Sequence, residues 1–178
     1  MLEFLSYAGI AVAVLVAGVL LYASSKPGSF SYARSITIAA PPAAIFPHIN
    51  DLHAFNAWNP FLKKDAATRL DYSGPPGGIG AAHAWEGNSN VGKGRAVITE
   101  SAPSSRIVMQ LDMIKPMAAT NRVEFTLVPV AGATTVTWAM DGRQPLMAKL
   151  MTVFIDCDRM VGGEFEKGLA ELKLIVEG

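Results

Sequence analysis

Residues 145–178 read PLMAKLMTVFIDCDRMVGGEFEKGLAELKLIVEG. Apolar side chains recur there in steps of three and four, through Met147, Met151, Phe154, Cys157, Val161, Phe165, Leu169, Leu172 and Val176. That spacing puts them on one face of a helix. The opposite face carries Lys149, Asp156, Arg159, Glu164, Lys167, Glu171 and Lys173, so the stretch predicts one long amphipathic helix with a single face to bury. Gly162-Gly163 interrupts good helix formers at a cost of about 2 kcal/mol relative to two alanines, which marks a kink or a close backbone contact.

What that face lies on follows from the chain before it. Six short runs alternate apolar and polar residues: Arg69–Ser73, Ala81–Glu86, Gly94–Ser101, Arg106–Met113, Asn121–Pro129 and Thr134–Met140. Gly, Pro, Asn and Ser clusters such as Gly74-Pro75-Pro76-Gly77, Asn88-Ser89-Asn90 and Ala131-Gly132 separate them, the texture of an antiparallel meander. A seventh run, Phe30–Ile38, comes earlier and favours a strand through Tyr32, Ile36 and Ile38. Between it and the meander, Pro41-Pro42 suits a helix start, Pro47 bends or cuts the helix over Ala43–Ile49, and Asn50 or Asp51 caps a second one running to Trp58. The expectation is an α+β fold: a curved antiparallel sheet of about seven strands around a long C-terminal helix, with two short helices after the first strand. An antiparallel sheet must bury one face, and only the last helix is long enough to cover it.

The N-terminus differs from the rest. Phe4–Tyr22 is uncharged and would make a helix of roughly 28 Å, close to the thickness of a bilayer's hydrocarbon. A secretory signal would need a basic start, and Met1-Leu2-Glu3 has none. The reading is therefore a retained single-pass anchor over residues 1–25, a linker over 26–29 and a ligand-binding domain over 30–178. Lys26 and Arg34 follow the span and no basic residue precedes it, which places the domain on the cytoplasmic side, with a periplasmic or external domain as the alternative.

Fifteen basic against fifteen acidic residues leave no net field to draw nucleic acid. The single Cys157 excludes an internal disulfide framework. His48 and His53 lack metal-site spacing, and Gly77-Gly78-Ile79-Gly80 leads into a strand rather than a phosphate-holding helix. No cofactor or metal is expected.

The element order resembles the START-like helix-grip superfamily, also called SRPBCC, and its bacterial polyketide cyclase/dehydrase-like branch. The resemblance is carried by Ala40-Pro41-Pro42-Ala43-Ala44-Ile45-Phe46, by Asp51 through Trp58-Asn59-Pro60, by Gly80-Ala81 with Trp85, and by Phe165 to Lys173. It implies a hydrophobic pocket for a lipid, polyketide or similar small molecule. Members include enzymes, carriers and co-chaperones, so fold alone does not choose among them.

Strand alternation proposes which side chains look inward. His83 and Trp85 share a face, as do Met109 with Met113, and Phe125 with its neighbours Val123 and Leu127. Trp138 and Met140 form a fourth row, and Trp58 closes the short helices. Met147, Met151 and Phe154 are expected to face these rows from the long helix, completing an adaptable wall of Met and Trp. His83 is the one polar candidate, able to orient a ligand carbonyl or to move a proton as a catalytic residue. Two readings of function follow: membrane-tethered binding of a hydrophobic small molecule or lipid, or a cyclase/dehydratase-like enzyme using the same cavity.

Overall fold

The computed structural model describes residues 2–178, and the side chains of Tyr7 and of residues from Gly9 onward. Helix α1 (Leu2–Ser25) leads into β1 (Ser29–Ile38), which the short helices α2 (Pro42–Ile45), α3 (Pro47–Asn50) and α4 (Leu52–Trp58) follow. The meander comprises β2 (Arg69–Ser73), β3 (Ala82–Glu86), β4 (Lys93–Ala102), β5 (Arg106–Lys115), β6 (Ala119–Val130) and β7 (Ala133–Arg143), and α5 (Leu146–Phe154) and α6 (Cys157–Glu177) complete the chain. All seven strands join one antiparallel sheet in the order β1-β7-β6-β5-β4-β3-β2. The first strand thus pairs with the last, Ile36 opposite Val136 and Arg34 opposite Trp138.

Helix α6 lies against this sheet and buries Phe165, Leu169 and Leu172. They join Ile38, Ile45, Ile49, Leu52, Phe125 and Val136 in one core. Of the two residues expected to cap α4, Asn50 or Asp51, it is Asp51 that starts it, by accepting the His53 N–H at 2.8 Å. The Trp58 Nε1–H donates to the His48 carbonyl at 2.9 Å and so ties α4 back onto α3.

The expected single C-terminal helix is two. Ile155 adopts an extended conformation, and the Asp156 side chain accepts the Arg159 N–H at 3.0 Å, starting α6 afresh. No residue of α5 is buried. Its partner is α1, whose last turn it meets: Ala23 is fully buried and Lys26 Nζ donates to the Thr152 carbonyl at 2.6 Å.

The expected membrane anchor over 4–22, with its cytoplasmic or external domain, is also corrected. Part of that run, residues 4–6 and 8, has side chains outside the described set. Among the described residues no helix is long and apolar enough to cross a membrane.

Candidate functional site

Between the concave face of the sheet, α4 and the first turns of α6 lies a cavity of about 340 Å³. Seven residues proposed from alternation meet there: His83 and Trp85 from β3, Met109 and Met113 from β5, Val123 from β6, and Trp138 and Met140 from β7. The period of two brings them together because the sheet curves around one side. Two glycines make room for the indoles. A Cβ on Gly94 would stand 2.4 Å from Trp85 Cζ2, and one on Gly168 would stand 2.9 Å from Trp138 Cζ3. Trp138 lies flat on Phe165, ring centroids 4.3 Å apart, so α6 and the sheet share one stacked wall.

The other proposed residues lie elsewhere. Trp58 and Phe125 are fully buried core, beside the cavity but not lining it. Met147, Met151 and Phe154 sit on α5, which turns away from the sheet, and Phe154 is 78% exposed. The wall they were expected to form is supplied by Val161 and Phe165 of α6 and by Phe55 and Phe61 at either end of the α4 turn. Phe55 was legible as an apolar position three before Trp58. Phe61 follows the helix-stopping Pro60, and no periodicity marks it.

The buried polar side chains of the cavity are His83, 3% exposed, and Asn59, 7% exposed. Burial pushes the His83 imidazole down to about 4, so it is neutral at ordinary pH. Asn56 of α4 reaches His83 Nδ1 at 2.6 Å, and its Nδ2 also lies 3.1 Å from the Tyr72 hydroxyl. Tyr72 stacks on His53, centroids 3.7 Å apart, which covers this polar corner from outside. The Trp138 Nε1–H is buried with no protein partner among the described residues. No Lys, Arg, Asp or Glu lines the cavity, while Ser89, Asn90, Gly92 and Pro116 edge its mouth on the β3–β4 and β5–β6 turns.

An open antiparallel sheet gripping a C-terminal helix over an apolar cavity is the helix-grip class of fold. Residues 29–177 match the family described as polyketide cyclase / dehydrase and lipid transport, and the chain belongs to that family. Solved structures of the same fold include protein CV1439 from Chromobacterium violaceum, at 15% identity and a TM-score of 0.59 over 86% of this chain and 99% of that one. The Aha1 dimer from Colwellia psychrerythraea gives 19% identity and 0.58 over 83% and 96%. CalU16 from Micromonospora echinospora gives 17% and 0.57 over 84% and 76%. At these identities the likeness shows the fold alone. Among curated proteins nothing matches the chain.

Proposed function

We propose that the domain over 30–178 binds a hydrophobic small molecule or lipid in the cavity between sheet and α6. The observation that carries this reading is a space of about 340 Å³ with an almost wholly apolar lining, kept open in a core that is otherwise closely packed. Interiors fill such volumes unless something else occupies them, and ligand sites of this kind begin at roughly 300 Å³. Membership of the family supports it as well. Methionines at three wall positions suit ligands of irregular outline, because an unbranched thioether repacks at little cost.

Titration with fluorene, a neutral hydrocarbon, tests the proposal. The expected result is saturable one-to-one binding to the wild type, weakened at least tenfold in Ala96→Phe, which puts a ring into the cavity from β4. Binding that never saturates, or that ignores the filled cavity, overturns it.

A further inference from the structure

The cavity's buried polar corner is wired in one direction. Its starting point is the Phe61 backbone N–H, a group that only donates. It donates to Asn59 Oδ1 at 3.2 Å, so that atom is the amide oxygen and the other is the nitrogen. Asn59 Nδ2 in turn faces Asn56 Oδ1 at 3.4 Å, which orients the Asn56 amide. Asn56 is left to present its Nδ2, again a donor only, to His83 Nδ1 at 2.6 Å. Rotating either amide by half a turn would set nitrogen against nitrogen somewhere along the chain. The only consistent assignment makes His83 Nδ1 an acceptor. In a neutral imidazole the single proton then sits on Nε2.

That proton has no partner within the protein: the Asn56 contact is the one hydrogen bond His83 makes among the described residues. Both polar ends of Asn59 are engaged, so among the described residues the buried wall has two donors to offer a guest, the His83 Nε2–H and the Trp138 Nε1–H, and neither is an acceptor. A buried donor left unpaired is costly, and a matching acceptor on a guest recovers the loss. A carboxylate guest would meet no cation in the lining, which disfavours an ionised acid.

We infer that the cavity selects a neutral, mainly apolar molecule carrying a carbonyl-type oxygen, which accepts the Nε2–H of His83. The inference rests on the cavity-binding reading and sharpens it from hydrophobic molecules in general to carbonyl compounds. It also assigns His83 a positioning part: with the Nδ1 lone pair held by Asn56, the ring has no lone pair turned to the guest and does not act as a general base.

A matched pair of probes tests it, 9-fluorenone and fluorene, which share one skeleton and differ by the carbonyl. Wild-type protein is expected to bind fluorenone 3- to 10-fold more tightly than fluorene, the range of one net hydrogen bond. In His83→Phe the ratio of the two affinities is expected to fall to about one, whatever the absolute affinity for either probe. Nitrogen-15 NMR of the unliganded wild type reads the tautomer directly and needs no variant; it is expected to show the proton on Nε2. Equal affinities for the two probes, a preference that survives His83→Phe, or a proton found on Nδ1 each overturn the inference while leaving the cavity reading intact. Failure of both probes to bind overturns the cavity reading, and the choice of guest falls with it.

Discussion

Helices α5 and α6 were written in the same periodic code, and only one of them is inside the protein. In α6 the pattern delivers Phe165, Leu169 and Leu172 to the core; in α5 it delivers Met147, Met151 and Phe154 to the outside. The stripe itself does not differ. What differs is the break at Ile155-Asp156, where a capping carboxylate restarts the helix on a new axis. Periodicity tells which face of a helix is apolar, whereas the direction of that face is set by the turn before it.

The strongest way to break the comparison is to remove one phenylalanine from each helix. Phe165→Ala is expected to cost about 3–5 kcal/mol in urea unfolding, because it empties a site stacked on Trp138. Phe154→Ala, on a side chain 78% exposed, is expected to stay within about 0.5 kcal/mol. Similar losses from both would mean that α5 is docked after all.

The buried side of the comparison also titrates. His83 falls from an ordinary value of 6.5 to about 4, so between those pH values the unfolded chain binds the proton and the folded one does not. Stability is therefore complete above about pH 6.5 and lost as pH falls toward 4, by about 3 kcal/mol at 1.36 kcal/mol per unit. Exposed carboxylates act lower: Glu177, held below its ordinary 4.5 by the Ala39 N–H and by Lys173, loses its contribution only as pH drops through that lower value. Denaturant midpoints measured from pH 7.5 to 4 should slope downward in the wild type and lie nearly flat above pH 5 in His83→Gln. A slope shared by both proteins would remove His83 from the account.

The smallest effects separate two glycines of α6. Gly168→Ala pushes a methyl against Trp138 and Pro60 and is expected to cost about 1–3 kcal/mol. Gly163→Ala meets nothing within 4 Å and should gain about 0.5–1 kcal/mol from helix propensity alone. Thermal melts of the pair check both signs.

These contrasts show where a sequence is legible. The seven strands were readable because alternation and turn residues are local: Arg69–Ser73 is β2 residue for residue, and the inward rows of His83, Trp85, Met109 and Trp138 follow from parity once a strand is placed. Gly162 was marked as a point of close contact, and what it admits is the Arg34 guanidinium rather than backbone. The partners of His83 were not readable. Asn56 and Asn59 flank Trp58 on a short helix and its end, and only the docking of α4 over β3 brings them to the imidazole. Trp58 is the large aromatic of this segment, yet it fills the core while its small polar neighbours line or support the cavity. The uncharged N-terminal run showed a helix by composition, but its end packing on α5 depended on the same unannounced break.

The sheet order carries a consequence for synthesis. Because β1 pairs with β7, the nascent chain carries its opening strand unmatched while some hundred residues are added, and the hairpins of β2 to β6 are complete before that edge closes. Helix α6 emerges later still. On the ribosome the unfinished sheet presents a greasy hollow with no lid, so this chain is most exposed to chaperones, and to its own neighbours, in the interval before α6 emerges.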